Sequence, residues 1–166
     1  MKTDRLSARF LPAVAVSAIA ALTLVGAQHV MAQESRFCST LDRVMRDKPN
    51  DFETFKTGEY YDSTKEWDAS IELPRLRTCR VDIELKNYNC YTVGLTATEA
   101  NRSASDLKEI ISGCLGTNPG APRVKEDSER TRTVYVWPKK RGAEVELVLR
   151  LGKQERPRNS VFVYVQ

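Results

Sequence analysis

Between residues 67 and 97 polar and apolar side chains exchange places at nearly every step. Trp67, Ala69, Ile71 and Leu73 alternate with Asp68, Ser70 and Glu72 before Pro74 stops the run. A period of two sends successive side chains to opposite sides of an extended backbone, so this is a half-buried strand and not a helix. Cys79, Val81, Ile83 and Leu85 then alternate with Arg80, Asp82, Glu84 and Lys86. Asn87, Tyr88 and Asn89 read as turn residues, after which Tyr91, Val93, Leu95 and Ala97 alternate with Thr92, Gly94 and Thr96, which predicts a hairpin. The same period returns over residues 131–137, 143–151 and 160–165. Pro138 ends the first of these, and Lys139, Lys140, Arg141 and Gly142 make the turn to the second. In the last strand Val161, Val163 and Val165 face one way and Phe162 and Tyr164 the other. That pattern predicts either a central place in the sheet or a face used by a partner.

Two segments carry the helical period instead. Phe37, Cys38, Leu41, Val44 and Met45 recur at helical spacing over residues 34–48, where Pro49 ends the run, and Asn50 with Glu53 resembles a capping box for a short turn through Phe52 and Phe55. Thr98 opens a second helix to about Leu115, with Ala100, Ala104, Leu107, Ile110, Ile111 and Cys114 on one stripe and Gly116 as its stop. Residues 58–65 and the charged, Pro-containing residues 117–132 read as loops. The predicted order is α-βββ-α-βββ without an internal repeat. It describes an α+β fold with two helices packed on one face of a twisted antiparallel sheet, the other face being largely wet.

The N-terminus obeys other rules. Lys2, Arg5 and Arg9 against Asp4 precede an uncharged apolar run over residues 10–25, too short to span a bilayer comfortably and interrupted by Pro12. Val30, Met31 and Ala32 before Gln33 fit a signal-peptidase site, with a second site of the same type at Ala27. Residues 1–32 are therefore expected to be a cleaved signal peptide rather than a retained anchor, leaving 33–166 as a single domain in the periplasm or outside the cell. With no cysteine at the cleavage point a lipoprotein is not expected. Cleavage removes three cations and one acid, lowering the formal net charge of +4 by two units. Much of the basic character thus belongs to targeting, and nucleic acid is not an expected partner. Nor is stable membrane insertion after cleavage.

Cys38, Cys79, Cys90 and Cys114 all follow the leader, and an even number in an oxidising compartment predicts two disulfides. Structural zinc draws its ligands from close pairs, and these cysteines are spaced too widely for one. Of three connectivities, Cys38 with Cys114 on adjacent helices and Cys79 with Cys90 on paired strands is favoured. The rival joins Cys38 to Cys79 and Cys90 to Cys114. A three-residue turn would send Cys79 and Cys90 to opposite faces and forbid their bond.

A helix, a three-strand meander, a second helix and further strands make an order similar to the secretion-chaperone-like fold, including small bacterial proteins of the YbjN type. The Trp67 strand, the Cys79 and Tyr91 hairpin and the helix from Leu107 to Cys114 carry the likeness. A tryptophan strand followed by Leu73-Pro74, Cys79, Tyr88-Asn89-Cys90 and a helix ending Gly113-Cys114-Leu115 also resembles uncharacterised exported proteobacterial proteins. The resemblance implies a homodimeric, non-catalytic, protein-binding role. The leader departs from the cytoplasmic setting of secretion chaperones.

The only histidine, His29, lies in the expected leader. A mature chain without imidazole has no Ser-His-Asp or Cys-His mechanism and no ordinary proton shuttle near pH 7. Carboxylates at i, i+2 spacing, Asp82 with Glu84 and Glu144 with Glu146, are the chief route left to catalysis. Such alternation is also what a solvated sheet face looks like. No phosphate-binding loop, dinucleotide turn or nucleophile elbow is present. Basic clusters at Arg75, Arg77 and Arg80, at Lys139, Lys140 and Arg141, and at Lys153, Arg156 and Arg158 sit at strand ends and turns, where charge keeps loops soluble. Asn101-Arg102-Ser103 matches a glycan acceptor pattern but falls inside a predicted helix. Trp67, Tyr91 and Phe162 are expected in the core. Tyr60, Tyr61 and Trp137, together with Phe162 and Tyr164 if the terminal strand is used, are the expected partner contacts. The expectation is an exported protein-binding module, without cofactor or metal, whose protein partner is unknown. The alternative is a small cell-envelope hydrolase or inhibitor-like factor using surface carboxylates.

Overall fold

The computed structural model of the chain describes residues 17–153 and 158–166. Residues 1–16, with the basic start of the expected leader, and Arg156 lie outside the described residues. Two compact units divide the chain, Met1–Gln33 and Glu34–Gln166. Helix α1 spans Ser17–Asp47. It starts earlier than the 34–48 predicted, because the Ala- and Leu-rich stretch before Glu34 favours helix and no proline interrupts it. Among the described residues no helix is long and apolar enough to cross a membrane.

The second unit is built on one antiparallel sheet of eight strands: β1 Lys56–Tyr61, β2 Glu66–Ala69, β3 Thr78–Asp82, β4 Asn87–Leu95, β5 Arg123–Glu126, β6 Arg130–Lys140, β7 Ala143–Gly152 and β8 Asn159–Val165. Helix α2, Ala97–Leu115, separates β4 from β5. Strands β1 to β4 form one meander and β5 to β8 another, and the two join where β4 pairs with β8, giving the order β1-β2-β3-β4-β8-β7-β6-β5. Each half is thus a helix followed by four strands. The repeat that the sequence does not display is present in the order of elements.

Two strands replace predicted loops. Residues 58–65 were expected as loop because Gly58 punctuates them, but Gly58 occupies a bulge inside β1 at φ 59°, where the register with β2 shifts. A Cβ at Gly58 would stand 3.2 Å from Asp68 Oδ2, so both the backbone angle and the close approach call for glycine. Within residues 117–132, β5 pairs with β6. All four residues of β5 are exposed, so it buries nothing that would imprint a period of two on its sequence. The strand expected to reach Leu73 instead ends at Ala69, after which the Ser70 amide donates to the Phe55 carbonyl (2.7 Å) and Leu73 is buried from a loop. Pro138 does not end its strand: β6 continues to Lys140 with a register shift after Trp137, a bulge that tolerates a residue without an N–H.

The β3–β4 hairpin differs by its turn. Asp82 Oδ1 accepts from the amides of Glu84 (2.9 Å) and Leu85 (2.8 Å), so residues 83–86 make the connection. Asn87, Tyr88 and Asn89, expected in the turn, belong to β4. This longer connection brings Cys79 directly opposite Cys90. The two are bonded, and Cys38 of α1 is bonded to Cys114 of α2.

Cross-strand rows show which side the core occupies. Trp67, Val81, Tyr88, Val165, Val145 and Trp137 are successive partners across six strands. Cys79, Cys90, Val163, Leu147 and Tyr135 form the next row. All but Trp67 and Tyr135 are buried, and they join Phe37, Leu41, Val44 and Met45 of α1 and Ala100, Ala104, Leu107 and Ile111 of α2 in one core. Helix α2 lies over β7 and β8. Its start is fixed by a capping box, in which Thr96 Oγ1 accepts from the Glu99 amide and the Glu99 carboxylate accepts from the Thr96 amide (2.9 Å).

Candidate functional site on the uncovered sheet face

The side chains that alternate with the core rows form the opposite face. Asp68, Arg80, Asn89, Tyr164, Glu146 and Val136 are successive cross-strand partners there. Thr78, Tyr91, Phe162, Val148, Val134 and Arg123 form a second row, and Val93, Ser160, Arg150, Arg132 and Lys125 a third. Arg132 and Arg150 therefore stand directly opposite each other on β6 and β7.

Aromatic rings and guanidinium groups alternate across this face. The Arg80 guanidinium lies 4.0 Å from the Tyr61 ring centre and 6.0 Å from that of Tyr91. Tyr91 packs against Phe162 with ring centres 5.3 Å apart, and Phe162 stacks on Tyr164 at 5.8 Å with planes 11° apart. Arg150 then lies over Phe162 at 4.2 Å and donates from Nη2 to the Tyr164 hydroxyl (3.4 Å). Such contacts hold flexible guanidinium groups flat on the sheet. They also cover Val148, which is fully buried although it points away from the helices.

The two ends of the array differ in charge. On the β1–β3 side Arg80 donates from Nη1 to Glu66 Oε2 (2.9 Å) and lies 4.0 Å from Asp68, while Asn89 Nδ2 donates to Glu66 Oε1 (3.2 Å). This end is neutralised. On the β5–β7 side, neither Arg132 nor Arg150 has a carboxylate within ion-pair distance among the described residues, nor do Arg123 and Lys125. Arg132 Nε is buried without a hydrogen-bond partner there. Burial, chiefly, pulls the Arg150 guanidinium below its ordinary value, and the neighbouring Arg132 and Arg130 add to it. Burial likewise raises the Tyr164 and Tyr91 hydroxyls. The Glu146 carboxyl is raised by burial and then by Glu144.

The expected contact residues separate on this geometry. Tyr61, Phe162 and Tyr164 lie in the array. Tyr60 pairs across to Trp67, with ring centres 5.1 Å apart, on the other side of the sheet. Trp137 is a correction: it is fully buried and donates from Nε1 to Ser112 Oγ (3.2 Å), so the residue beside Pro138 is a core anchor. Tyr91 and Phe162, expected in the core, lie on the uncovered face. A bulge at Val93–Leu95, where Gly94 has φ 76°, returns Leu95 to the core.

Of the carboxylate pairs, Asp82 is occupied by the turn it caps. Among the described residues no group of three acidic, cysteine or histidine side chains is placed to hold a metal ion. The basic clusters read from the sequence serve as ties: Arg75 to Asp106 (3.6 Å), Arg141 to Asp42 (2.9 Å), Lys153 to Glu126 (3.2 Å), and Lys140 to the Leu115 carbonyl (3.1 Å) at the end of α2. The row of Lys125, Arg132 and Arg150 leaves no local mark in the sequence, because its members are far apart along the chain and meet only through strand pairing. No family model, curated protein or solved structure matches this chain.

Proposed function

We propose that the chain is an exported, non-catalytic protein-binding module whose working surface is the sheet face not covered by the helices. One observation carries this reading: the continuous array Tyr61, Arg80, Tyr91, Phe162, Arg150 and Tyr164, in which large side chains are pre-ordered on the uncovered face. Tyrosine and arginine combine large contact area with directional hydrogen bonding, and ordering them before binding lowers the entropy lost on association. Two disulfides suit an oxidising compartment, and the leader supplies the route.

A photo-crosslinking amino acid placed at Tyr91, with Leu85 as an exposed control outside the array, tests the surface in cells producing the protein with its own leader. Discrete protein adducts at Tyr91 and none at Leu85 are expected, and intact mass of the same preparation should begin at Gln33. Adducts to a second copy would identify a homodimer. Equal adducts at both positions, or none at either, would refute the assignment of this face.

A further inference from the structure

We infer that the β5–β7 end of this face binds an acidic polypeptide segment, whose carboxylates seat on the row Lys125, Arg132 and Arg150. The inference rests on the reading of the face as the binding surface and adds the chemistry of the partner. Like charges placed directly opposite on neighbouring strands repel, and a solvated sheet face ordinarily alternates sign at such positions. Here Lys125 pairs with Arg132 and Arg132 with Arg150, so three cations follow one another across three strands. No carboxylate among the described residues pairs with any of the three, and Arg132 Nε is buried without a partner. Arg150 is held by the Phe162 ring and the Tyr164 hydroxyl. Neither group is an anion, so its charge stays available.

The extent of the row sets the size of the partner. Adjacent strands lie about 5 Å apart, so the three cations span roughly 10 Å, enough for two or three carboxylates. Across the sheet the row continues into Ser160 and Val93, while the acids of this face stand to one side of it: Glu146 four residues from Arg150 along β7, and Asp68 and Glu66, already engaged by Arg80, farther across on β2. A long polyanion that left the row along β7 or diagonally toward β2 would meet these acids. A short acidic segment of a protein ends before them and rests its apolar side chains on Phe162 and Tyr164. Arginine forks match carboxylates in two-point fashion.

Fluorescence anisotropy with a labelled hexaglutamate peptide, against hexaglutamine, tests the inference on protein produced with its own leader. Saturable binding of hexaglutamate only is expected, weakening steeply with salt. Arg132→Gln with Arg150→Gln should weaken it at least tenfold, whereas Lys139→Gln, away from the row, should change it less than twofold. Arg132→Lys with Arg150→Lys keeps the charge and should fall between, provided circular dichroism and both disulfides match the parent. Hexaglutamate binding that is absent, or indifferent to the arginine substitutions, overturns the inference. Heparin fragments or phosphatidylglycerol vesicles that bind through Arg132 and Arg150 where hexaglutamate does not would also overturn it, assigning the row to sulfate or phosphate. Adducts at Tyr91 that persist in the double Gln variant would leave the binding face standing while this inference falls. A parent protein that gives neither Tyr91 adducts nor hexaglutamate binding removes both readings.

Discussion

Tyr88 shows how much one side chain can hold. It is fully buried at the centre of the longest core row, its hydroxyl donates to the Ile71 carbonyl (2.6 Å), and Phe52 and Phe55 pack at 6.2 Å from its ring. The bond ties the loop after β2 to the middle of the sheet. Tyr88→Phe would leave the Ile71 carbonyl without that donor, at a cost of about 1–3 kcal/mol in urea unfolding. Burial raises the Tyr88 phenol above its ordinary value of 10.0. The stability linked to it is therefore complete below pH 10 and is lost as alkali approaches the folded value. The melting temperature should fall more steeply above pH 10 in the parent than in Tyr88→Phe. Nothing local in the sequence marks this role. Asn87 and Asn89 make Tyr88 resemble a turn residue, and only the cap supplied by Asp82 moves the turn upstream and draws Tyr88 into β4. Trp137 differs from expectation for a related reason, since a neighbouring proline suggests a strand end where the structure has a bulge.

Elements were legible in proportion to the apolar surface they bury. Helix α2, strand β7 and strand β8 each carry a stripe or alternation that burial enforces, and all three lie where the sequence puts them. Strands β1 and β5 are the sheet's two edges. Edge strands answer to hydrogen bonding on one side only and are free to be charged, which hides them from any reading based on hydrophobicity. The uncovered face was half legible for the same reason. The divergence of Phe162 and Tyr164 from the valines of β8 announced a second face, but the cationic row on it depends on the register of β5, β6 and β7. That row carries its own cost. Arg132→Gln should raise stability by roughly 0.2–1 kcal/mol at low ionic strength by relieving repulsion from both neighbours. The gain, read as a rise in melting temperature, should shrink as salt is added, and a fall at low salt would count against strain in the row.

At the scale of the whole second unit, the cross-links differ in reach. Cys38–Cys114 closes a separation of 76 residues and ties the helices of the two halves, whereas Cys79–Cys90 closes 11 residues within one hairpin. Chain-entropy arguments give roughly 4.5 kcal/mol for the first and roughly 3 kcal/mol for the second. Urea midpoints for paired Cys→Ser variants should therefore rank the Cys38 and Cys114 pair as the more damaging. The arrangement of the halves also fixes an order of events. Strand β8 sits between β4 and β7, so β4 has no neighbour on its inner side until residues 159–165 exist. Without them the sheet would stand as two separate meanders, β1–β4 and β5–β7, each with a bare rim open to proteases and to pairing with strangers. The sheet is sealed only when residues 159–165 take their place between β4 and β7, so its two halves reach their final form together rather than in succession.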